Sequence, residues 1–284
     1  MRYNIKGAAT FILVMVLTLL SFSQPVKAQM NLTDAEYEKL HLLFTPGRIA
    51  SLTDEEIEYY LSIDEEDIIT AHKYYKTIET ENGTICTEVS ELEALTGANT
   101  MMNLPGTVGT LSTFYQTAYK RISISYMHLH DNYYKIFLGT EWLVTPNVKS
   151  FDVTGIRVYD ATITDGLQFG TQAAWNPTDG FSYVHYSTNG TNIVKQNNGF
   201  GISMNLINSG VEFYADIETY VTATSQYAKV YGSYQHAVYN VTLIDSKSYT
   251  ISGAGLGYVF NFATAVEDLY DGMGGVDISL PYSS

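Results

Sequence analysis

The chain has 284 residues, with 30 Asp and Glu against 15 Lys and Arg, a formal net charge of −15 and one cysteine, Cys86. A surface of this sign repels DNA, RNA and anionic lipid, and no local basic patch offsets it, which excludes nucleic acid as a partner. One cysteine cannot close an intrachain disulfide, so stability has to come from a packed core.

The chain opens with Arg2 and Lys6, an apolar run from Ala8 to Phe22, and Val26-Lys27-Ala28 as a small-residue cleavage site. Residues 1–28 therefore read as a secretory signal peptide, cleaved after Ala28. Thr10, Thr18 and Ser21 interrupt the run, which falls short of the roughly twenty residues that a spanning helix needs. No later run is apolar enough for an integral membrane segment, so the expected product is secreted and extracellular. Losing Arg2, Lys6 and Lys27 with the leader leaves twelve basic residues facing thirty acidic ones, a net charge of −18.

Residues 29–105 form an acidic first region, with sixteen Asp and Glu against four Lys and Arg between 29 and 100. Thr33-Asp34-Ala35-Glu36 and Thr53-Asp54-Glu55-Glu56 match the capping box, and each precedes apolar positions at helical spacing. Thr45-Pro46-Gly47 is read as the stop of the first helix, because proline cannot continue the hydrogen-bond ladder. Lys73–Thr80 and Thr84–Val89 flank Asn82-Gly83, a strong hairpin signal. Ser90 with Glu93 then starts a short helix that ends near Gly97. Acid-rich helix faces of this kind are read as solvated surface, since carboxylates favour the positive end of the helix dipole.

From 106 to 284 the texture changes to short stretches of Tyr, Ile, Val, Phe and Thr separated by Asn-Gly and Asp-Gly punctuation. Strands are expected over Arg121–His130, Tyr133–Val144, Ser150–Tyr159, Phe181–Ser187, Asn192–Gln196, Phe200–Ile207, Val211–Thr222, Lys229–Ile244 and Tyr249–Phe262. Ser187-Thr188-Asn189-Gly190-Thr191 reads as a two-residue hairpin turn between two of them. The predicted class is mainly β: an antiparallel β-sandwich or jelly-roll-like domain preceded by a small acidic α+β region.

Candidate chemistry is sparse. His128 and His130 lie two apart on a strand and so face one way, a spacing that presents two imidazoles to one ion; zinc suits those ligands. Asp268 and Asp271 belong to a run of carboxylates among glycines, Glu267 to Asp277, whose ligand type suits calcium. No cofactor is expected; zinc and calcium stand only as candidate ions beside the simpler readings of a strand face and of turns. Gly253-Ala254-Gly255-Leu256-Gly257-Tyr258 lacks the spacing and the following helix of a dinucleotide site and reads as strand. No nucleophile elbow occurs, and Cys86 has no local base, so no catalytic residue is assigned. The most distinctive feature is 24 tyrosines beside Trp142 and Trp175. Trp142, Trp175, Tyr183 and Tyr186 are the candidate ligand-binding rings, because large rigid faces with a polar edge suit a sugar ring or a protein surface.

The segments 198–206 (Asn198 to Leu206), 230–237 (Val230 to Ala237) and 146–153 (Pro146 to Val153) resemble stretches in a group of uncharacterised secreted β-rich proteins of Gram-positive bacteria. That resemblance implies extracellular release and a β-rich domain over about residues 120–262, and brings no activity or site residue with it. The reading that follows is an extracellular binding module for carbohydrate or a protein partner at the cell surface. Two alternatives stand beside it: an extracellular polysaccharide-acting hydrolase whose carboxylates meet only in the fold, and a membrane-acting β-toxin built on the alternating segments around Tyr220 and Tyr239.

Overall fold

The computed structural model describes residues 32–80, 83–102, 117–146, 148–196, 198–247, 249–251, 260–262, 269–271 and 274–283. The leader, Asn82, the Gly253–Tyr258 run and Asp268 lie outside them. Among the described residues the first three helices are α1 (Asp34–His41), α2 (Pro46–Ile49) and α3 (Asp54–Ser62). Both expected capping boxes form, with Thr33 and Thr53 each exchanging hydrogen bonds with Glu36 and Glu56. Thr45-Pro46-Gly47 does more than stop α1: Thr45 caps α2 and Pro46 takes its first position, where a missing N–H costs nothing.

Fifteen strands follow among the described residues. β1 (Ile68–Thr80), β2 (Gly83–Val89), α4 (Glu91–Met102), β3 (Thr117–His130), β4 (Tyr133–Trp142), β5 (Phe151–Tyr159), β6 (Ala161–Ile163), β7 (Phe169–Asn176), β8 (Gly180–Ser187), β9 (Ile193–Gln196) and β10 (Gly199–Asn205) come in turn. Then come β11 (Glu212–Ala223), β12 (Lys229–Gln235), α5 (Leu243–Ser246), β13 (Tyr249–Ile251), β14 (Phe260–Phe262) and β15 (Gly274–Ser279). Thirteen of the strands make the expected antiparallel sandwich: a large sheet ordered β2-β1-β3-β4-β11-β7-β8, with β6 also on β11, and a small sheet ordered β15-β12-β5-β10-β9; β13 and β14 pair with each other as a separate two-stranded sheet.

Alternation along the strands produces the layers. Ile122, Ile124, Ile136, Leu138, Ile217 and Val221 of the large sheet meet Ile156, Val158, Phe200, Ile202 and Val230 of the small one in the inter-sheet core. The other face of the large sheet is covered by the helices, through Leu40, Phe44, Ile57 and Tyr60 against Met127 and Phe137. Gly47 makes that close approach possible: a Cβ there would lie 2.7 Å from the Ala173 Cβ.

Several expectations change in the folded chain. The 105/106 boundary falls between strands of one sheet, since β1 pairs with β3 from Ile68↔Met127 to Ile78↔Thr117. The Ser187–Thr191 turn forms, with the Gly190 N–H donating to the Ser187 carbonyl at 2.7 Å, but it is not a hairpin. β8 pairs with β7 and β9 pairs with β10, so the turn carries the chain between sheets. β12 ends at Gln235, after which Ala237 bridges Tyr270 and α5 forms. β7 and β15 were not expected as strands. Gly274, which reads as flexible in sequence, sits in β15 because a side chain there would meet Ile122 at 2.7 Å.

A buried polar cluster crosses from one sheet to the other. Lys120 of β3 places its ammonium 2.5 Å from an Asp271 carboxylate oxygen, with neither side chain exposed. The other Asp271 oxygen accepts the His236 N–H at 2.8 Å, and Thr77 donates to the carboxylate at 3.1 Å. Asp152 accepts from His236 Nδ1 at 2.9 Å, from the Ala237 N–H at 3.0 Å and from the Tyr234 hydroxyl. The Lys120 ammonium also stands over the Trp142 and Tyr234 rings.

Removing one partner of the buried pair leaves an uncompensated charge, at a cost of about 3–5 kcal/mol. Lys120→Met and Asp271→Leu are therefore each expected to lower the urea midpoint sharply, while the double variant recovers most of the loss. Single variants that melt like the native protein would contradict the cluster's part in stability.

Candidate functional site

The strand register places one continuous row across the helix-side face of the large sheet. Tyr74, Arg121, Glu141, Tyr214, Ala173 and Tyr183 stand opposite one another on β1, β3, β4, β11, β7 and β8. The neighbouring row holds Glu212, Trp175 and Phe181, and the next holds Asp216, Thr171 and His185. Residues directly opposite in an antiparallel pair share a face, so all of these project the same way. Helices α1 and α2 cover the middle of the rows. Gly47 of α2 sits on Ala173 and Tyr214, and the Arg121 guanidinium of the covered part contacts His41 Nε2 of α1.

Beyond the helices the face emerges at Trp175 of β7 and along β8, where His185 is exposed and Phe181 and Tyr183 are half-buried. Phe181, Tyr183 and His185 form a file of near-parallel rings, with centroids 5.8 and 6.3 Å apart and planes within 16° and 12°. Tyr214 approaches Phe181 at 6.2 Å and joins the file to the covered part of the face. Trp175, opposite Phe181, is half-buried. Gly180 begins β8 at φ 74°, a left-handed conformation that glycine adopts without strain, and so turns the chain tightly out of the Asp179 corner. The outer backbone edge of β8 has no partner strand among the described residues. The strand carries no charge and no proline.

Three carboxylates line the rows in different states. Glu141 is buried and held by Arg121 at 2.7 Å. Asp216 accepts the Thr45 N–H at 2.9 Å and the Thr45 hydroxyl at 2.5 Å. Burial pushes its pKa up to about 7 against the opposing pull of those hydrogen bonds and of Arg48. Glu212 is half-buried and accepts the Tyr214 hydroxyl at 2.6 Å. Burial raises its pKa too, Tyr214 acts in the opposite sense, and Glu141 adds to the rise. Tyr183 is pushed up to about 12 by burial, so its hydroxyl stays protonated and able to donate.

The four ring candidates are thus not brought together. Trp175 and Tyr183 lie on the open face. Tyr186 points to the opposite side of β8 and packs against the inter-sheet core. Trp142 is itself a core residue, 5% exposed, whose indole N–H donates to the Tyr234 hydroxyl at 3.2 Å; stacking on an external ligand would require opening the sandwich. Phe181, His185 and Glu212 complete the face and carried no motif; the signal was the period-two alternation of Gly180–Ser187, which puts 181, 183 and 185 on one side.

The metal candidates separate as well. His128 and His130 flank a register shift at the tip of the β3–β4 hairpin. His128 Nε2 lies 2.9 Å from the Asp131 carbonyl oxygen, and the His130 ring packs beside Tyr133. Asp271 is engaged by Lys120 and His236 in the interior. Among the described residues no three His, Cys, Asp or Glu side chains converge as a metal's ligand set.

No family model matches the chain, and no curated protein does. Among solved structures, a collagen-binding domain from a Staphylococcus aureus adhesin is similar at 14% identity and a TM-score of 0.24, over 37% of this chain and 74% of that one. The enzymatically active domain of bacteriophage CBA120 tailspike protein 4 follows at 9% identity and a TM-score of 0.20, over 56% of this chain and 18% of that one. A structure named "BspA_C_WT" gives 8% identity and a TM-score of 0.22, over 59% and 86%. Likenesses this slight carry no functional argument. No helix among the described residues is long and apolar enough to cross a membrane.

Asp216 provides a pH prediction. Its folded pKa, about 7, is raised above its ordinary value of 3.8, so the native state binds its proton more tightly. That contribution is fully present below about pH 4 and is lost as pH rises through about 7. Asp216→Asn keeps an acceptor and a donor for Thr45 without the charge. Its Tm relative to the native protein is expected to be highest near pH 7.5 and to fall on acidification to about pH 5; a difference that does not vary with pH would contradict the assignment.

Proposed function

We propose that this chain is a secreted binding module that takes a carbohydrate chain along the open face of β7 and β8. The observation that carries the reading is the file Phe181, Tyr183, His185, with Trp175 opposite and the Glu212 carboxylate at its end. Flat rings offer the apolar faces on which a sugar ring stacks, while the Tyr183 hydroxyl, His185 Nε2 and the carboxylate supply hydrogen bonds for sugar hydroxyls, His185 Nδ1 being engaged with the Thr171 hydroxyl. The file of rings runs along β8, whose outer edge has no partner strand among the described residues, so a polymer can extend past the strand. Release from the cell rests on the leader read at residues 1–28.

A protein partner is the second reading. It is favoured by the uncharged outer edge of β8, whose backbone groups can pair with an extended segment of another chain.

The expected outcome is saturable binding to at least one cell-surface or extracellular-matrix polysaccharide in a pull-down with quantitation by calorimetry. Trp175→Ala and Tyr183→Ala should each weaken it by about 2 kcal/mol, roughly thirtyfold. Tyr227→Ala, an exposed ring outside these rows, should leave it unchanged. No saturable binding to any such polymer by the folded protein, or equal loss in all three variants, would overturn the carbohydrate reading.

A further inference from the structure

The carboxylates of the helix-side face are not equivalent in what balances them. Glu141 is matched by Arg121 at 2.7 Å, and Glu218 by Lys135 at 2.7 Å and Arg48 at 3.3 Å. Asp216 is enclosed by Thr45. Glu212 alone of these four reaches the open part of the face, and its hydrogen-bond partner among the described residues is the neutral Tyr214 hydroxyl. No cation approaches it among the described residues. Trp175 stands next to it in the row with Phe181 one strand beyond, and aromatic faces attract cations as well as sugar rings. A half-buried anion with rings beside it and no counter-charge is arranged for a positive group that arrives from outside.

We propose that the ligand carries free amino groups, and that Glu212, with Trp175 beside it, is the subsite for the ammonium of an amino-sugar unit. This rests on the carbohydrate reading above and names its substrate class. Competing chemistries fit less well. A uronic-acid or sulfated polymer would bring like charge against Glu212 and against a chain of net charge −15. A neutral or N-acetylated sugar would gain the ring stacking and leave the carboxylate with hydroxyl donors only, whereas an ammonium makes the stronger charge-assisted bond. The acidic surface as a whole also draws a polycation toward the face, so association should slow as salt rises.

The test compares hexosamine oligomers of one length, fully N-acetylated and fully deacetylated, by calorimetry with the full-length secreted protein near pH 6, where the free amines are protonated. The deacetylated oligomer is expected to bind at least about tenfold more tightly. Glu212→Gln, which keeps the shape and the hydrogen bond to Tyr214, should abolish that preference, bringing the two oligomers within about twofold of each other, with the larger loss on the deacetylated one. The preference should also shrink on acidification to about pH 4, as Glu212 takes up its proton, and at about 0.5 M salt. Equal affinities for the two oligomers, or an unchanged preference in Glu212→Gln, overturn the amino-group assignment while leaving the carbohydrate reading intact. Failure of both oligomers together with tight binding of a neutral glucan does the same. Binding of a lysine-rich peptide with no binding of any saccharide overturns both readings.

Discussion

The Lys120–Asp271 pair is the constraint around which the two sheets are arranged. Lys120 belongs to β3 in the large sheet, and Asp271 to the segment that leads into β15 in the small one. An ammonium without solvent is tolerated only where a carboxylate and aromatic faces replace water, and here Asp271, Trp142 and Tyr234 do so together. Asp271 in turn fixes the His236 backbone, and the His236 ring and Tyr234 meet on Asp152 of β5. The result is a polar seam in an otherwise apolar interior. It ties β3 of the large sheet to β5 and the end of β12 in the small one through hydrogen bonds and charge.

With the sandwich so fixed, the outer face of the large sheet becomes available for other purposes. A three-layer arrangement of helices, large sheet and small sheet would bury that face completely if the helices spanned all its strands. They do not: α1, α2 and α3 cover β3, β4, β11 and part of β7, and leave β8 bare. The uncovered strip takes aromatic residues on the open side and places Tyr186 toward the core on the other. Half-burial of tyrosine rings on a pleated surface is what sheets favour on packing grounds alone. Function enters with Glu212, whose charge nothing in the described chain neutralises.

Much of the architecture was legible in the sequence, because it depends on local periodicity. The capping boxes, the acidic helices and most strands carry their own signals within a dozen residues. β7 did not, since Phe169–Asn176 contains Gly170, Gln172, Ala173 and Ala174, a poor strand composition. Those small residues are there for packing: α2 lies against Ala173, and a Cβ on Gly170 would lie 2.5 Å from Ile202 of the opposite sheet. Strand pairing was less legible still. The turn at Ser187–Thr191 looks the same whether its flanking strands pair or part, because only long-range contacts decide it. The site suffered most from this. Trp142 and Trp175 are indistinguishable as sequence, yet one is core and the other lies on the open face, and the Glu212–Trp175–Phe181 row exists only through the register of three strands.

That division between the two tryptophans offers the most direct test of the account. The chain contains two indole N–H groups, so amide-correlation NMR of labelled protein shows two resolved indole signals. Titration with a binding oligosaccharide should shift the Trp175 signal, assigned by Trp175→Phe, and leave the Trp142 signal in place. A ligand that binds while the Trp175 signal stays fixed, or that moves the Trp142 signal alone, would contradict the assignment of the open β7–β8 face as the binding surface.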